Sequence, residues 1–442
     1  MQKNEDMLQF NLLLKAKKFI SSFNNLKCFP KKNNNFYLAS YSKSIDLYTL
    51  RSFANLKQSF LKHAYIILKD VFYGMYYLNY ESIKPRENIN YKKIVISWAF
   101  KNNFNKDGSF NDRYFNINSN IDNKILWYLV YMDKQLPKKI AKNIALFQPI
   151  KFKKLNFKYE IKNIFSKINF IFKNYKYFLA DISSNSTLAE IISNDFNKYL
   201  NKKLNNVLMP FESQPFQNQI IENIRNYNKK IKTIGYIHSP PLALPTNFIY
   251  KSGCPDKIIL NGADQLNCFV KYLGWKKKNL KVLASDRFFK ESKDLSNIIF
   301  LPISIISINN IIKSIKYLLK EKKLNLNNFE IKNHPASKFS EIHKKLTKEI
   351  KKIIYKNNNK NKKINKFSIF VGTSGAIIEA LEKKNSVLQI CEEPAIDMYS
   401  SKIWQNIKKE KITDNIYKYS LKKRGSMIKL GKKSKNLNHY FA

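Results

Sequence analysis

Short apolar runs that alternate with helix-like segments are the feature of this chain that most constrains its fold. The run "IVISWAF" at 94–100 is continuous and about as long as a buried strand. Later runs are separated by segments with apolar residues at helical spacing; they are "NVLMPF", "KTIGYIH", "DKIILNG", "NIIFLPISI", "FEIKNH", "FSIFVG" and "SVLQI". Strands that alternate with helices predict βαβ units and parallel sheets, so we expect an α/β protein.

The alternation divides the chain into two α/β halves that join near residues 280–295. A single core rarely grows beyond roughly 250–300 residues, so a chain of 442 residues is expected to hold two or three domains. We predict four regions: a mainly helical N-terminal region at 1–90, a Rossmann-like domain at 91–290, a second Rossmann-like domain at 291–415, and a basic C-terminal helix or tail at 416–442.

Three further segments carry local predictions. Within the first 90 residues, "FYLASYS" at 36–42 is a candidate strand. In the first Rossmann-like domain, "KILWYLVYMDKQL" at 124–136 is predicted to be a helix, and so is the lysine-rich stretch 160–178. These segments belong to no clear strand–helix pair.

The net charge of +48 has two interpretations that the sequence leaves open. A strongly basic chain usually suggests nucleic acid or an anionic membrane surface as a partner. Lys, Asn, Ile, Phe and Tyr are enriched together, however, as an AT-rich coding sequence would produce without any partner. We therefore weigh compositional bias against attraction to anionic lipid or to an anionic substrate. Nucleic acid is not expected, because no recognisable binding module accompanies the charge.

Cysteine and histidine usage argues against several classes of protein. The four cysteines are scattered and form no CxxC pair, which predicts neither a disulfide framework nor a zinc site and fits a reducing cytoplasm. None of the five histidines forms an HExxH motif, and no DxD-type acid pair follows a relevant strand, so we predict no metal. No signal peptide and no run of about 18 uncharged apolar residues is present, which predicts a cytoplasmic protein.

A turn of small residues in the second half is a candidate phosphate site. Gly372, Thr373, Ser374 and Gly375 stand directly between the strand "FSIFVG" and a helix-like run. Backbone N–H groups at a helix N-terminus attract phosphate, and the two hydroxyls add donors. The alternative interpretation is an ordinary helix cap with glycine for a tight turn.

A histidine–proline pair ends the neighbouring strand in the sequence. His334 follows "FEIKN", and Pro335 restrains it to an extended conformation that aims the imidazole in a defined direction. Glu379 lies one turn into the helix after the small-residue turn, where it is expected either to reach sugar hydroxyls of a nucleotide or to be a solvated helix residue. Two strand-end donors in one half-sheet favour an anion site over two unrelated turns.

Candidate acids and bases follow the strands of the first half. Glu212 and His238 each end an apolar run, and neither is needed for the turn in which it lies. Asp107 and Asp112 follow "IVISWAF" in "NKDGSFNDRYF", where Asp107 belongs to an Asp-Gly turn pair. Asn261 and Gly262 end a further strand, and we assign them to the acceptor side.

These motifs resemble the GT-B glycosyltransferases that make bacterial surface polysaccharide, including bacterial sialyltransferases and related capsule enzymes. In those families an HP pair and a Ser/Thr turn hold the nucleotide and phosphate of the donor; the matching positions here are His334–Pro335 and Thr373–Ser374. The stretches "DGSFNDRYF", "FESQPFQNQIIENIR" and "TIGYIHSPP" are similar to a family described as surface carbohydrate biosynthesis proteins, over roughly residues 95–410.

The resemblance implies a GT-B-like fold of two Rossmann-like domains that face a cleft, with an N-terminal helical addition. It implies a nucleotide-sugar donor bound by the C-terminal half, and a lipid-linked or oligosaccharide acceptor, for example of O-antigen, lipopolysaccharide or capsule, bound by the other. No cofactor is expected, because the nucleotide sugar is a substrate. Peripheral contact with anionic membrane at the inner face of the cell membrane would bring the enzyme to such acceptors.

Two departures from the family patterns leave the chemistry open. The sialyltransferase acid-acid-Gly motif appears only as "KDG", with Lys106 at the first acid position, so the base is unassigned. The Glu-x7-Glu pattern of many retaining enzymes stops at Glu379, because Val387 stands eight positions on. A polyol-phosphate transferase or a nucleotide-sugar epimerase on the same fold remains an alternative. So does a basic non-enzymatic protein that binds RNA or lipid surfaces.

Overall fold

The structure is a computed structural model, and it describes residues 2–24, 50–51, 53–55, 79–85, 90–122, 124–150, 184–289, 295–322, 324–334, 337, 340–356, 367–431 and 437–442. These residues form parallel and mixed β-sheets together with α-helices, which confirms the predicted α/β class. The strand predicted at 36–42 and the helix predicted at 160–178 lie outside the described residues.

The first sheet has eight strands in the spatial order β1-β4-β3-β2-β5-β6-β7-β8. Strands β2 to β8 are parallel, and β1 pairs antiparallel with β4 at one edge. Strand β1 thus adds residues from the predicted N-terminal helical region to this sheet. The strands are β1 (Asn79–Ile83), β2 (Lys93–Ala99), β3 (Ile125–Tyr131), β4 (Ile144–Ile150), β5 (Asn206–Pro210), β6 (Lys232–Tyr236), β7 (Lys257–Leu260) and β8 (Leu280–Val282).

Strand β3 shows that the helix predicted at 124–136 is wrong. The strand "ILWYLVY" pairs with β2 on one side and β4 on the other, and all seven of its side chains are buried. A run that is apolar on both faces shows neither the two-residue period of a half-buried strand nor the 3.6-residue period of a helix. The segment is a strand because it pairs with β2 and β4, and this pairing cannot be read from the local sequence pattern.

The strand order places a topological switch point between β2 and β5. From β2 the chain adds β3 and β4 on one side, whereas β5 to β8 extend the sheet on the other side. In open parallel sheets, ligands bind beyond the carboxyl ends of the strands at such a point. The residues that follow β2 and β5 therefore flank the crevice in which a ligand is expected.

The second sheet has six strands in the order β11-β10-β12-β13-β15-β14. Its first four strands are parallel, and a hairpin of β14 and β15 pairs antiparallel with β13. By the same argument, its switch point lies between β10 and β12. The strands are β10 (Ile298–Leu301), β11 (Glu330–Asn333), β12 (Phe367–Val371), β13 (Ser386–Ile390), β14 (Ile407–Lys411) and β15 (Ile416–Leu421).

Strand β15 corrects the prediction of a basic helix or tail from residue 416 onward. Ile416, Tyr417 and Tyr419 are buried in the strand, while Lys418 between them is exposed. The lysines of this region hide the apolar alternation, and the strand is stabilised by pairing with β13 and β14, which are close in space. Lys418 therefore lies on the exposed side of a sheet strand and not in a basic helix or tail.

Besides short 3₁₀ turns, the described residues also form a small sheet and the nine α-helices named below. Strands β9 (Ser285–Phe289) and β16 (Leu430–Gly431) pair in parallel. The helices are α1 (Gln2–Asn24), α2 (Ser184–Phe196), α3 (Pro215–Tyr227), α4 (Ala263–Lys271), α5 (Ile308–Lys320), α6 (Glu341–Lys356), α7 (Ala376–Glu382), α8 (Pro394–Asp397) and α9 (Asn438–Phe441).

Loops that follow strands of the first sheet contact loops that follow strands of the second. The Tyr399 hydroxyl donates to the carbonyl oxygen of Pro241 at 2.9 Å and lies 3.2 Å from that of Ser374. The indole N–H of Trp404 donates to the carbonyl oxygen of Ala243 at 3.0 Å. One cluster of buried apolar side chains includes residues of both sheets. The carboxyl ends of the two sheets therefore face each other.

Segments near both ends of the sequence also join the two halves. In α1, the side-chain amide of Gln9 donates to the carbonyl oxygen of Met398 at 2.5 Å, next to α8 of the second half. The adjacent Phe10 ring packs edge-on against Tyr272, just after α4 of the first half, with 5.1 Å between ring centroids. Helix α9 returns from the second half and packs against the first sheet.

Candidate active site

A glutamate and a histidine are paired at the carboxyl ends of β5 and β6, beside the first switch point. Oε1 of Glu212 lies 3.0 Å from Nε2 of His238. The Gln214 amide donates to Oε2 of Glu212 at 2.8 Å, and Oε1 of Gln217 accepts the backbone N–H of Glu212 at 3.0 Å. Gln217 is itself fixed by a hydrogen bond to the carbonyl oxygen of Pro210 at 2.5 Å. The start of α3 thus holds the carboxylate in one orientation.

Burial determines the protonation state of this pair. Burial lowers the pKa of His238, and its hydrogen bond with Glu212 opposes that shift only in part. Burial raises the pKa of Glu212, but hydrogen bonds from His238 and Gln214, with nearby positive charge, outweigh it and the net pKa shift is downward. At neutral pH a Glu212 carboxylate therefore accepts the Nε2–H of a neutral imidazole.

The basic atom of His238 is consequently Nδ1. With the proton on Nε2, the free lone pair of a neutral imidazole lies on Nδ1. This atom is buried, and no described residue forms a hydrogen bond with it. A buried polar atom without a partner costs free energy, and such atoms in native structures are often explained by function.

Two residues that the sequence analysis did not single out complete the cluster. The Tyr114 ring packs edge-on against the His238 imidazole, with 4.4 Å between ring centroids. The guanidinium carbon of Arg287, on β9, lies 5.9 Å from the centroid of the same tyrosine ring. Burial and the charge of Glu212 raise the pKa of Tyr114 to about 12, so the phenol is neutral. The exposed Arg287 side chain brings a positive charge to the mouth of the site.

Asp112 anchors the loop that carries Tyr114. One of its oxygens accepts the backbone N–H groups of Tyr114 and Phe115 at 2.8 Å and 2.6 Å, and the other accepts the hydroxyl of Ser97. Burial raises the pKa of this carboxyl to about 6, against the lowering effect of these hydrogen bonds. Because both oxygens are engaged, Asp112 is placed to position Tyr114 rather than to take a proton from a substrate.

Asp107 lies apart from this cluster, in the turn that its Asp-Gly pair favours. Its Oδ1 accepts the backbone N–H and the hydroxyl of Ser109 at 2.9 Å and 2.8 Å, and these hydrogen bonds lower its pKa. Gly108 has φ +90° and packs against the backbone of residues 139–141. Asp107 therefore holds its own turn, and its catalytic role stays a prediction.

The small-residue turn at 372–375 stands at the second switch point, beside the loop that follows His238. Gly372 has φ +65°, a conformation that glycine adopts without strain. A Cβ atom on Gly375 would lie 3.2 Å from Cβ of Pro240, which is two residues beyond His238. The turn of one sheet and the acid–base pair of the other are thus close neighbours.

The two hydroxyls of this turn have different partners. The Thr373 hydroxyl donates to Oδ1 of the buried Asp397 at 2.8 Å. Oγ of Ser374 accepts the backbone N–H of Ala376 at 3.3 Å, as in a serine turn just before the helix, and its own hydrogen remains free to donate. Ser374 therefore keeps a donor for a ligand, whereas Thr373 supports the turn from within.

His334 ends β11 at the same edge of the sheet. Strand β10 lies between β11 and β12, so His334 and Ser374 are separated by about 10 Å at the usual strand spacing. Partial burial and the neighbouring His343 lower the pKa of His334. Pro335, predicted to aim this histidine, lies outside the described residues.

Glu379 is engaged in an ion pair on its own helix. Its Oε1 lies 2.5 Å from Nζ of Lys383, one turn further along α7. The lysine and glutamate side chains are only 7% and 19% exposed, so Glu379 is not the solvated helix residue of the alternative interpretation. Its predicted contact with sugar hydroxyls would require the glutamate to share its carboxylate with the lysine.

A C-terminal segment covers Asn261 and Gly262, which were predicted to face an acceptor. The carbonyl oxygen of the buried Asn261 accepts the backbone N–H of Lys429 at 2.6 Å. A Cβ atom on Gly262 would overlap the carbonyl oxygens of Ser426 and Met427. These residues hold the returning chain against β7. The side-chain amide of Asn261 also donates to the carbonyl oxygen of Ile237, next to His238, at 2.5 Å. Their acceptor-side role stays a prediction.

Neither a metal cluster nor a spanning helix is found within the part of the chain that the structure describes. No three His, Cys, Asp or Glu side chains there lie close enough to bind one metal ion. Cys254, Cys268 and Cys391 are buried free thiols. None of the described helices combines the length and apolar character needed to cross a bilayer.

Comparisons with known proteins give no family. No protein-family model and no curated protein matches the chain. Among solved structures, the chain is similar to the N-terminal domain of Candida albicans trehalose-6-phosphate phosphatase, with 8% identity and a TM-score of 0.35 over 73% of this chain and 90% of that one. At this level of similarity the comparison carries no argument, and function has to be inferred from the site itself.

Proposed function

We propose that this protein is a glycosyltransferase that moves a sugar from a nucleotide-activated donor to a growing surface glycan. The observation that carries the proposal is the Glu212–His238 pair at the switch point of the first sheet. The loop that follows His238 contacts the small-residue turn at 372–375, which stands at the switch point of the second sheet. Two Rossmann-like sheets with facing carboxyl ends are what the GT-B resemblance implies. A donor at one sheet and an acceptor at the other would meet at this contact.

His238 is the proposed general base. Glu212 accepts its Nε2–H, so Nδ1 takes the proton from an acceptor hydroxyl. The acceptor oxygen bonds to the anomeric carbon of the sugar, while the bond from that carbon to the phosphate oxygen breaks and the nucleotide leaves. The carboxylate stabilises the imidazolium that forms, as in other carboxylate–histidine pairs. Because Nδ1 is buried, we expect the Tyr114 ring to shift when an acceptor binds.

The donor phosphates are proposed to bind along the carboxyl edge of the second sheet. The Ser374 hydroxyl and the N–H groups of its turn donate to one phosphate, and the His334 imidazole approaches from the end of β11. A separation of about 10 Å suits a nucleoside diphosphate better than a single phosphate group. Arg287, on β9 of the small sheet, supplies positive charge as the negatively charged leaving group departs.

The substrates follow from the family resemblance. The donor is a nucleotide sugar, and the acceptor is a lipid-linked or oligosaccharide precursor of O-antigen, capsule or a similar glycan. Such precursors are assembled on the cytoplasmic side of the cell membrane, so we place the enzyme in the cytoplasm at its inner face.

Thermal unfolding with CMP, CDP, UDP, GDP and their sugars tests the donor site. We expect one nucleotide series to raise the melting temperature of the wild type. Ser374→Ala should weaken that nucleotide by about 10- to 100-fold, because it removes a hydrogen bond to a charged phosphate. Ser420→Ala, on the exposed side of β15, is the matched control and should bind like the wild type. If no nucleotide stabilises the wild type, the donor site is refuted.

Nucleotide release with and without acceptor tests the transfer step. We expect release only when an acceptor is present, and a loss of about 100-fold or more in His238→Gln with nucleotide binding intact. Conversion of the donor into another nucleotide sugar, without net release of nucleotide, would favour a nucleotide-sugar epimerase. Salt-sensitive polyanion binding that survives both His334→Ala and Ser374→Ala, with no nucleotide effect, would favour a non-enzymatic basic protein.

A further inference from the structure

Helix α9 contributes one buried tyrosine to a cluster of three aromatic rings. Tyr440 is 2% exposed, and its ring packs edge-on against Phe115 and Tyr236, with 5.1 Å and 5.0 Å between ring centroids. The rings of Phe115 and Tyr236 are in turn 5.5 Å apart. Each of the three rings is therefore held by the two others.

The hydroxyl of Tyr440 holds the strand that carries Arg287. It donates to Oδ2 of the buried Asp286 at 2.5 Å, and Nε2 of His439 lies 3.2 Å from the same oxygen. Burial raises the pKa of Tyr440, so the phenol is neutral and keeps its proton for this hydrogen bond. The backbone N–H of Asp286 donates to the Tyr236 hydroxyl at 3.2 Å. Asp286 is thus held both by its side chain and by its backbone.

Each of these three partners of Tyr440 lies within two positions of a residue of the candidate active site. The pairs are Phe115 with Tyr114, Tyr236 with His238, and Asp286 with Arg287. On β9, the alternation of a strand leaves Asp286 buried and Arg287 exposed. Tyr114 contacts both His238 and Arg287. One buried tyrosine therefore supports the backbone segments that carry all three site residues.

Strand β9 depends on this support more than the strands of the large sheets do. It belongs to neither large sheet and pairs with the two-residue strand β16. The Ser285 hydroxyl accepts the backbone N–H of Arg287 at 3.2 Å and so holds the backbone from within the strand. A short strand with few neighbours opens more easily than one inside a large sheet. The hydrogen bond from Tyr440 to Asp286 is therefore expected to limit the movement of Arg287.

We propose that Tyr440 is a positioning residue for sugar transfer, which holds Arg287 beside the Tyr114 ring through its hydrogen bond with Asp286. This inference rests on the proposed function, in which Arg287 supplies positive charge as the nucleotide leaves. A group misplaced by about 1 Å can lower a rate by about 100-fold, even when the change is far from the chemistry. The ring of Tyr440 supports Phe115 and Tyr236, whereas its hydroxyl acts on Asp286, so substitution can separate the two contributions.

Tyr440→Phe removes the hydroxyl and keeps the ring. We expect kcat for sugar transfer to fall by about 10- to 100-fold, and KM for the nucleotide sugar to change by less than about twofold, because the donor phosphates are proposed to bind to the second sheet. Tyr128→Phe on β3 is the matched control, because its hydroxyl also donates to a buried carboxylate, Oδ2 of Asp195, at 3.1 Å. The control should lower the melting temperature by a similar amount and leave kcat unchanged.

A double variant tests whether the effect passes through Arg287. We expect Tyr440→Phe to lower kcat by less than about twofold in the Arg287→Gln background, because residues that act as one unit are not additive. An undiminished loss from Tyr440→Phe in that background would show that the tyrosine does not act through Arg287.

An NMR titration of His238 gives a readout that needs no substrate, and His238→Gln assigns its signal. Burial lowers the pKa of His238, the paired Glu212 raises it, and the charge of Arg287 lowers it further. Displacement of Arg287 should therefore raise the pKa of His238 in Tyr440→Phe, whereas Tyr128→Phe should keep the wild-type value.

The two readouts separate the positioning role from the proposed function. If the wild type transfers no sugar but the pKa of His238 rises in Tyr440→Phe, the proposed function fails and the link between Tyr440 and Arg287 stands. An unchanged pKa of His238 in Tyr440→Phe would overturn the positioning role, and so would an unchanged kcat when the wild type is active.

Discussion

Replacing Glu212 by glutamine isolates the charge in the Glu212–His238 pair. The substitution removes a carboxylate that lies 3.0 Å from Nε2 of His238, and it leaves an amide oxygen that can accept the same hydrogen bond. The imidazole should therefore keep its orientation and its tautomer. What changes is the electrostatic environment of a base that becomes positively charged only when it takes a proton.

The expected loss in kcat follows from the charge of the imidazole, which is neutral in the ground state and positive in the transition state. With a neutral imidazole in the resting protein, the change should cost about 1 kcal/mol of unfolding free energy. With an imidazolium, the attraction at 3.0 Å and an effective dielectric constant of about 20 is about 5 kcal/mol. Water reaches the glutamate, whose side chain is 37% exposed, so we expect a transition-state loss of about 2–4 kcal/mol, or about 30- to 1000-fold in kcat.

The pH profile of sugar transfer supplies a second signature. The hydrogen bond with Glu212 and its charge raise the pKa of His238, so removing the charge lowers that pKa further. The acid limb of kcat/KM, which reports ionisation of the free base, should move to lower pH while the plateau falls. Glu222→Gln on α3 is the matched control, because Glu222 pairs with Arg225 outside the site and should leave kcat unchanged.

Two results would refute the assignment of His238 as the base. One is a kcat for Glu212→Gln within about twofold of the wild-type value, where the electrostatic argument requires a far larger loss. The other is an acid limb that stays in place or moves to higher pH. A large fall in unfolding free energy with unaltered transfer would instead show that the pair only supports the fold.

Three further predictions concern residues around the site. Gly262→Ala should cost about 3 kcal/mol or more in urea denaturation, because its Cβ would overlap backbone carbonyl oxygens; a neutral change would contradict the packing described here. The pKa of Asp112 rises from 3.8 to about 6 on folding, so its contribution to wild-type stability should fall as pH rises from about 4 to about 6. Denaturation at several pH values should show that Asp112→Asn reduces this dependence. Thr373→Val should cost about 1–3 kcal/mol in the same measurement, because it leaves Oδ1 of Asp397 without a donor, yet keep nucleotide affinity within about twofold. Ser374→Ala should show the reverse, and identical behaviour of the two variants would contradict their separate roles.

Several site residues were predictable because the strand ends were predictable. The apolar runs before Glu212, His238 and Ser374 are short and continuous, and the residue after such a run lies at the carboxyl edge of a parallel sheet. Arg287 escaped prediction because β9 is stabilised by pairing with β16, more than 140 positions later in the chain. Asn261 obeys the same strand-end rule, but its hydrogen bond with the distant Lys429 could not be predicted from the sequence.

The sequence by itself determined the α/β class, most helices and strands of the second half, and the set of polar residues that follow strands. These depend on hydrophobic periodicity, which is local in the chain. Tertiary structure alone decided that β3 is a strand, that Glu212 orients His238, that Asp112 serves the loop of Tyr114, and that Thr373 is bound by Asp397 while Ser374 is not. Each of these outcomes depends on a contact with a neighbouring strand, loop or helix end, and the free energy of burying a charge or a hydroxyl is set by those neighbours.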